Sequence, residues 1–513
     1  MNSRTRRSAT AALAVAALTM PVLLVGVTGA AAHDHGPDPA KKAAQLAAKL
    51  VERSSGKGAR TTLERLQRIA DRNGGNRVAG SPGHAESAEY VARQAREAGL
   101  KVTKQEFDYV FNETLAERLA VVSPTAEQLV VTAMTYSAAG PEGGLVAPLA
   151  VVPVDATSGC EPEDYAAGSV IGRIALIKRG GCGFAVKQTA AAAAGAVGVL
   201  VYNNTDGELA GTLGDPKLAR VPIGGLAQST GEALAAKAAA GPVTLNLDIR
   251  TRVETRKTWN VLAETRGGDE NSTVMVGAHL DSVLAGPGIN DNGSGSAGIL
   301  EVARNLSDRP VKNKVRFAWW SAEEFGLVGS KAYVAALPAA ERQKIKLYLN
   351  FDMIASPNSA QFVYDGDDSD GVGSGPGPQG SAQIERLING YLDGRRKPHE
   401  GTDFTGRSDY GPFIEAGIPA GGTATGAEGI KTEAQAAKYG GTAGVAYDKC
   451  YHAACDTLAN LDPRAFDLNI DVIAHAVGTY AWDLSSLALP VVPERTTGGS
   501  GSGGLHDGHE LTE

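Results

Sequence analysis

The segment VMVGAHLDSVLAGPGINDNGSGSAG, residues 274–298, sets the architecture of this 513-residue chain. It opens with an apolar run that is typical of a strand in a sheet covered on both faces. We therefore predict a buried strand over residues 274–278, with His279 at its downstream end. The glycines after Asp291 allow the backbone to turn sharply, and the apolar pattern beyond them predicts a helix over residues 297–306.

Polar side chains gather at the end of this predicted strand. His279 and Asp281 are two residues apart, and Asp291 follows a loop rich in Gly and Pro. In α/β folds, an imidazole and carboxylates at a strand end mark the usual place of a ligand or catalytic site. A buried, hydrogen-bonded His beside a solvated Asp is the alternative, and this segment alone does not decide between the two.

The alternation of strands and helices continues along the chain. Strands predicted over residues 314–320 and 345–354 alternate with helices over residues 329–337 and 381–392. This order indicates an α/β fold with a mostly parallel mixed sheet and helices on both faces. Residues 121–254 differ, because short apolar runs dominate there, and they predict an inserted β-rich domain.

We divide the chain into six segments by these changes in composition. They are a signal peptide (1–32), a propeptide or N-terminal extension (33–58), the first part of the main domain (59–120), the inserted domain (121–254), the second part of the main domain (255–490) and a flexible tail (491–513). In the main domain, His84 is expected to be a helix cap or a surface residue.

Residues 1–32 predict export, because arginines precede an apolar run and an A-x-A cleavage site. The adjacent arginines Arg6 and Arg7 also leave the twin-arginine route open. We expect a secreted, extracellular monomer that has no membrane anchor after signal cleavage. The net charge of -8 is spread along the chain, so nucleic-acid binding is not expected.

Four cysteines form two local pairs, Cys160 with Cys182 and Cys450 with Cys455. An even number of cysteines in an exported chain favours disulfides. The spacings match no C-x-x-C zinc ribbon, so we assign both pairs to structure. Other pairings remain open.

Further carboxylates and a second imidazole follow later strands. Glu323 and Glu324 come after the predicted strand 314–320, and neighbouring side chains of an extended chain point apart, so one can bind a cation while the other moves a proton. A solvated pair at a helix N-terminus is the alternative. Asp352 lies at another strand end, and His452 lies between the last two cysteines, where a disulfide would make the loop rigid.

Five candidate metal ligands share a position in a loop or at a strand end: His279, Asp291, Glu324, Asp352 and His452. Two imidazoles and three carboxylates, with no thiolate, suit a pair of zinc ions that share one bridging carboxylate and a water. Such a pair lowers the pKa of the water, and Glu323 is placed to accept its proton.

The motifs GAHLDSV, GPGINDNGSGSAG, AWWSAEEFGLVGS, NFDMI, GRSDYGPF and CYHAAC occur in this order. With them the chain resembles the exported co-catalytic dizinc aminopeptidases, similar to aminopeptidase S and aminopeptidase Y, whose wider family includes glutamate carboxypeptidase. The resemblance covers about residues 60–120 and 255–487. The intervening segment resembles a protease-associated domain through Cys160, IALIKRGGC and AGAVGVLVYNN.

The resemblance implies a role for each metal ligand. His279 and Asp352 would bind one zinc ion, Glu324 and His452 would bind the other, and Asp291 would bridge them. Glu323 would act as general base to a metal-bridged hydroxide and later as general acid.

The resemblance also implies supporting residues. Asp281 would orient His279, and Tyr451 would donate a hydrogen bond to the developing oxyanion. Arg407, in GRSDYGPF, would help order the site for the substrate amine. Members with this pattern often read Ser-Asp-His where this chain has Ser408-Asp409-Tyr410.

Asp467 and Asp471 lie four residues apart on a predicted helix and so face the same side. Enzymes similar to this one can bind Ca²⁺ at such a place, with further oxygen ligands. Plain surface acids are the alternative reading of the pair.

We therefore expect a zinc-dependent aminopeptidase that hydrolyses the N-terminal peptide bond of peptides with a free amine. A preference for large apolar N-terminal residues follows from the resemblance and from Met353 and Phe413 near the motifs. Two alternatives remain: a carboxypeptidase with the same metal core, and an inactive binding protein on this scaffold. The carboxypeptidase would need a cluster of basic residues, and only Arg407 is near a motif.

Overall fold

A long mixed sheet runs through residues 38–490, the part of the chain that the computed structural model describes. The predicted signal peptide, residues 33–37 and the predicted tail lie outside the described residues. The strands are β1 (Lys101–Ser123), β2 (Glu127–Leu129), β3 (Thr132–Ala133), β4 (Leu145–Val151), β5 (Ile174–Lys178), β6 (Gly198–Tyr202), β7 (Ile223–Leu226), β8 (Thr244–Glu264), β9 (Asp269–His279), β10 (Asn313–Trp320), β11 (Ile345–Phe351), β12 (Phe362–Tyr364), β13 (Glu400–Thr402) and β14 (Ala420–Ala424).

Helices cover this sheet. They are α1 (Pro39–Arg53), α2 (Gly56–Arg72), α3 (Pro82–Glu97), α4 (Phe184–Ala193), α5 (Gln228–Ala240), α6 (Gly295–Leu306), α7 (Val328–Ala336), α8 (Ala339–Arg342), α9 (Ser381–Gly394), α10 (Gly411–Glu415), α11 (Glu433–Tyr439) and α12 (Pro463–Tyr480). The sheet order is β13-β12-β14-β11-β9-β10-β8-β4-β5-β6-β7-β3, and β1 pairs with β8. The predicted mixed α/β fold is therefore confirmed.

The strand β9 lies within the part of the sheet that belongs to the main domain. It pairs in parallel with β10 on one side and β11 on the other, so that Val276 lies between Phe317 and Leu349. All three side chains are fully buried, as an apolar strand covered on both faces requires. Parallel pairing brings the carboxyl ends of these strands to one edge, and His279 and Asp352 lie there.

Helix α1 lies within the segment predicted to be a propeptide or an N-terminal extension. It packs on α12 through Leu46, Ala47 and Leu50, which are buried. A Cβ added at Gly478 of α12 would lie 2.4 Å from the Cα of Ala47, so the two helices approach closely because glycine has no side chain. Helix α1, in the segment predicted to be a propeptide or an extension, is thus packed against the main domain.

The inserted domain is joined to the main domain by two long paired strands. β1 and β8 pair antiparallel from Lys101 opposite Glu264 to Ser123 opposite Thr244. The predicted boundaries at 120/121 and 254/255 fall inside these continuous strands, and the division into domains stays a prediction. Beyond them, β4, β5, β6 and β7 pair in parallel, and the same segment contains α4 and α5.

Two local features complete the fold. Both predicted disulfides are present, with S–S distances of 2.04 Å for Cys160–Cys182 and 2.10 Å for Cys450–Cys455. The prediction of a cap or surface role for His84 is wrong, because its side chain is buried and its Nδ1 lies 3.4 Å from the hydroxyl of Thr258. None of the helices in the described part of the chain combines the length and apolar character needed to cross a membrane.

Candidate metal centre

The first half of the centre is built around His279, the last residue of β9. Its Nε2 lies 3.1 Å from Oδ1 of Asp291 and 3.4 Å from Oδ1 of Asp352. Asp352 directly follows β11, the parallel neighbour of β9, so the sheet itself brings this imidazole and this carboxylate together. Asp291 lies in the loop between β9 and α6.

The second half is built around His452, in the loop closed by the Cys450–Cys455 disulfide. Its Nε2 lies 3.0 Å from Oε2 of Glu324 and 3.2 Å from Oδ2 of Asp291. Asp291 therefore turns one carboxylate oxygen to each imidazole. The structure brings together all five side chains that the sequence singled out as metal ligands.

The atoms of this cluster fit a pair of bound cations. Zinc binds nitrogen and oxygen at about 2.0–2.2 Å in tetrahedral geometry, which separates neighbouring ligand atoms by about 3.3–3.5 Å. The four close contacts lie between 3.0 and 3.4 Å. Among the described residues, Oε1 of Glu324 and Oδ1 of Asp352 are buried and have no hydrogen-bond partner. Buried carboxylate oxygens without hydrogen-bond donors are what a cation site requires.

The electrostatics of the cluster also favour a cation. Burial opposes a charged imidazole at His452, yet Glu324 and Asp291 raise its pKa to about 11. Burial likewise opposes the charged form of His279, but the surrounding carboxylates raise its pKa well above the ordinary value. The carboxylates therefore attract more positive charge than two neutral imidazoles supply. A zinc ion can supply this positive charge when it displaces the protons of the two imidazoles.

Glu323 lies beside these groups and is buried. Burial raises the pKa of Glu323 well above the ordinary value. The negative charges of Asp409, Glu324 and Asp352 raise this pKa further, whereas the charge of His279 lowers it. A carboxylate with a raised pKa is a better proton acceptor than a solvated one. Its position beside the cluster suits a group that accepts a proton from a reacting water.

A buried arginine that the sequence analysis missed supports the loop before Asp291. Arg77 donates hydrogen bonds to the carbonyl oxygens of Leu280, Pro287 (2.8 Å) and Gly288 (2.5 Å). Gly288 has a φ of 61°, and a Cβ there would lie 2.3 Å from the carbonyl oxygen of Asp291. The loop therefore needs both the guanidinium and the glycine to keep its shape.

Two further carboxylates hold the chain around Asp291 and were also missed. The carboxylate of Asp456 accepts the N–H groups of Asn290, at 2.8 Å, and of Asp291, at 3.0 Å. Asp448 accepts from the side-chain amide of Asn290 at 2.7 Å. A hydrogen bond between distant loops leaves no local spacing signal, so no pattern in the sequence could have identified these residues.

Asp281 and Ser408 contact the ligands of the first half of the centre. The carboxylate of Asp281 lies 3.7 Å from Nδ1 of His279, too far for a direct hydrogen bond, while its backbone carbonyl lies 3.3 Å away. The same carboxylate accepts the N–H of Glu323 at 3.3 Å. Ser408 donates to Oδ2 of Asp352 at 2.7 Å. Both predicted ligands thus have polar contacts outside the cluster, and the orienting role of Asp281 stays a prediction.

Comparison with known proteins decides the family. The sequence profile of peptidase family M28 matches residues 260–477, and that of the PA domain matches residues 142–234. Leucine aminopeptidase 2 of Trichophyton tonsurans is 47% identical over 424 residues, which cover 82% of this chain and 83% of that protein. The chain belongs to peptidase family M28.

Other similar proteins are also aminopeptidases. A probable leucine aminopeptidase 2 of Aspergillus fumigatus is 48% identical over 446 residues, covering 83% of this chain and 86% of that protein. The solved aminopeptidase from Aneurinibacillus sp. strain AM-1 has a TM-score of 0.67 at 29% identity and covers 84% of this chain and 95% of its own. The zinc aminopeptidase BSAP from Bacillus subtilis has a TM-score of 0.59 at 26% identity and covers 82% and 94%. The predicted metallo-aminopeptidase with an inserted PA domain is thus confirmed.

Beside the centre of this M28 peptidase lies a cavity of about 840 Å³. Tyr451, Arg407 and Met353 line it together with the predicted metal ligands. The ring of Tyr451 stacks on that of His452 at 3.8 Å, and Arg407 donates to the Tyr451 hydroxyl at 3.3 Å. Another Nη of Arg407 donates to Glu428 at 2.7 Å, a partner that the sequence analysis missed.

Asp467 and Asp471, predicted as a Ca²⁺ site, lie on α12 of this M28 peptidase. Their carboxylates contact different partners. Asp467 accepts the N–H of Gly56 at 2.7 Å, and Asp471 lies 3.3 Å from a guanidinium nitrogen of Arg395. Among the described residues, neither belongs to a group of three side chains close enough to share a metal ion. The calcium site stays a prediction.

Proposed function

We propose that this M28 peptidase is a secreted dizinc aminopeptidase that removes the N-terminal residue of peptides, preferring large apolar residues. His279 and Asp352 would hold one zinc ion, Glu324 and His452 would hold the other, and Asp291 would serve both. What supports this assignment is the contact of one carboxylate with two imidazoles at 3.1 and 3.2 Å, beside a cavity large enough for a peptide end.

Zinc bound there would supply Lewis-acid chemistry, which lowers the pKa of a water and polarises the carbonyl that reacts. Glu323 accepts the proton of that water and returns it to the leaving amine. Tyr451 donates its hydroxyl hydrogen to the carbonyl oxygen as negative charge develops. Asp281 and Ser408 keep His279 and Asp352 in position during these changes.

The charges around the cavity favour an amine at the substrate end. Glu323 and Asp352 line it, and their carboxylates suit the α-ammonium group of a peptide. Arg407 is the single guanidinium among the described lining residues, and Glu428 already holds it. A carboxypeptidase would need free cations for the terminal carboxylate, so this observation favours the aminopeptidase.

The apolar preference is supported by side chains on the cavity wall. Met353, Phe362, Tyr364, Ile430 and Tyr447 line it and can cover a large aliphatic or aromatic group. The relatives named leucine aminopeptidase 2 point the same way. Desolvating such a side chain in this cavity would contribute binding free energy in proportion to the apolar area covered.

One assay tests the reaction and its substrate end together. The purified mature protein should hydrolyse leucyl and phenylalanyl p-nitroanilide faster than the glycyl and glutamyl compounds. N-acetyl-leucyl p-nitroanilide should not react, because acetylation removes the ammonium group. Activity should disappear with a zinc chelator and return with added zinc. Rapid hydrolysis of the acetylated compound would refute an aminopeptidase.

We further propose that the chain is exported by residues 1–32 and works outside the cell as a monomer without a membrane anchor. The two disulfides support this, because such bonds persist in oxidising compartments. N-terminal sequencing and sedimentation of protein from the culture medium test the proposal. Recovery of the full-length chain from the cytosol alone, or of a stable dimer, would contradict it.

A further inference from the structure

Glu428 contacts Arg407, a residue that lines the substrate cavity. Its Oε1 accepts from one guanidinium nitrogen of Arg407 at 2.7 Å, and a second guanidinium nitrogen donates to the hydroxyl of Tyr451 at 3.3 Å. Arg407 and Tyr451 line the cavity, whereas Glu428 is not among its lining residues. Glu428 thus contacts Arg407, and Arg407 contacts Tyr451, which lies beside the predicted metal centre.

The contact from Arg407 decides where the hydroxyl hydrogen of Tyr451 can point. A phenol carries one hydrogen, and a guanidinium has no acceptor, so in this contact the phenol oxygen must accept. The hydrogen is then left to donate elsewhere, and among the described residues the Tyr451 hydroxyl makes no hydrogen bond besides the one from Arg407. The ring itself is held by its stack on His452 at 3.8 Å, so the free hydrogen stays beside the metal centre.

Arg407 depends on Glu428 for this geometry. The guanidinium is partly buried, at 19% side-chain exposure, and Glu428 is its single ion-pair partner among the described residues. Nε of Arg407 and Oε2 of Glu428 are buried without partners, so the ion pair rests on one N–H to oxygen contact. Removing the carboxylate would leave a cation that gains free energy by turning toward water, away from the tyrosine.

We propose that Glu428 is a positioning residue of the reaction: it holds Arg407 so that the Tyr451 hydroxyl presents its hydrogen to the substrate carbonyl. This inference rests on the proposed aminopeptidase function. It gives Arg407 a different task from binding the substrate directly, because both of its engaged nitrogens face protein groups. Glu428 acts on turnover without touching the substrate.

A double-mutant cycle tests the proposal with leucyl p-nitroanilide. Tyr451→Phe should lower kcat by about a hundredfold, the effect of losing one oxyanion donor. Glu428→Ala should lower kcat by about tenfold, because the donor remains but loses its fixed direction. In the Tyr451→Phe background, Glu428→Ala should lower kcat by less than about twofold, since the group it positions is already gone.

Two further variants separate positioning from general damage. Glu428→Gln keeps an acceptor oxygen for Arg407 and should recover most of kcat. Glu433→Ala removes an exposed glutamate from the first turn of α11 and should match the wild type. Zinc content and melting temperature are measured for every variant and should stay at wild-type values. If Glu428→Ala does not fold, Glu428→Gln takes its place in the cycle, with a smaller loss that again vanishes beside Tyr451→Phe.

Two results would overturn the proposal. Equal losses from Glu428→Ala in the wild-type and Tyr451→Phe backgrounds would mean that Glu428 does not act through the tyrosine. A change in KM with kcat unaltered would mean that it serves substrate binding. A wild-type protein that hydrolyses no aminoacyl anilide would instead refute the proposed function, so the two failures are distinguishable.

Discussion

The backbone N–H of Asp291 donates a hydrogen bond of 3.0 Å to Oδ2 of Asp456, a residue 165 positions later in the chain. The other oxygen of Asp456 accepts the N–H of Asn290. The carboxylate expected to bridge two metal ions is therefore fixed by a second carboxylate that holds its backbone. Asp456 follows the Cys450–Cys455 disulfide, so the loop that carries His452 also positions Asp291.

Asp456→Asn should weaken zinc binding. The amide keeps the size of the side chain but has one acceptor oxygen, so one backbone N–H would face an NH₂ group. Changes of groups that support metal ligands typically cost about 10- to 100-fold in affinity, and we expect a loss in that range. Competition with a chromogenic chelator measures it.

The matched control is Asp215→Asn in the inserted domain, where an exposed carboxylate caps the N–H of Lys217 at 2.8 Å. This variant should leave the affinity for zinc unchanged. Equal affinities for wild type and Asp456→Asn would show that the hydrogen bonds to Asn290 and Asp291 do not support the metal centre.

Glu323→Gln should abolish most turnover while zinc stays bound. The amide cannot accept the proton of the water, and general acid–base groups contribute about 10²- to 10⁴-fold to rates. Steady-state kinetics with leucyl p-nitroanilide and metal analysis of the same sample provide the two measurements. Glu341→Gln, on the exposed helix α8, is the control and should retain wild-type kcat. A Glu323→Gln enzyme within about threefold of wild type would remove Glu323 from the proton-transfer role.

Gly478→Ala should destabilise the fold, because the new methyl group would lie 2.4 Å from the Cα of Ala47 in α1. Overpacking of this kind costs about 1–3 kcal/mol in the free energy of unfolding. Gly390→Ala, in the middle of α9, meets nothing within 4 Å and should stabilise by up to about 1 kcal/mol.

Denaturant unfolding of the mature protein measures both glycine variants. Opposite signs would establish that α1 remains packed on α12 after export. If Gly478→Ala were as stable as wild type, α1 would be absent from the mature enzyme, as a cleaved propeptide would be.

Zinc affinity should fall as the pH is lowered from 8 to 6. Without metal, Glu324 and Asp291 hold the pKa of His452 at about 11, against the effect of burial, so its imidazole carries a proton throughout this range. Zinc must displace that proton, which weakens the apparent affinity by about tenfold per pH unit for each proton released. Chelator competition at pH 6, 7 and 8 measures the slope. An affinity independent of pH would show that His452 is not a metal ligand.

The sequence predicted the parts of the centre that depend on sheet geometry. His279 and Asp352 end neighbouring parallel strands, so their meeting follows from the apolar runs before them. Glu324 follows β10, which pairs with β9 in the same direction. His452 and Asp291 come from loops, and only their residue types and the motif resemblance indicated a place in the cluster.

Other contacts left no pattern to find. Arg77 and Asp456 act on loops far from them in sequence, and neither lies in a metal-binding spacing. The strand β1 extends from Lys101 to Ser123 because it pairs with β8 over this length, although much of it is exposed. Long-range hydrogen bonds determine these features, and local sequence patterns do not indicate such bonds.

Anomalous diffraction at the zinc edge from crystals of the mature enzyme tests the dizinc centre most directly. We predict two peaks, one contacted by His279 and Asp352 and the other by Glu324 and His452, with one oxygen of Asp291 on each. A single peak, or zinc bound elsewhere in an active enzyme, would contradict the account.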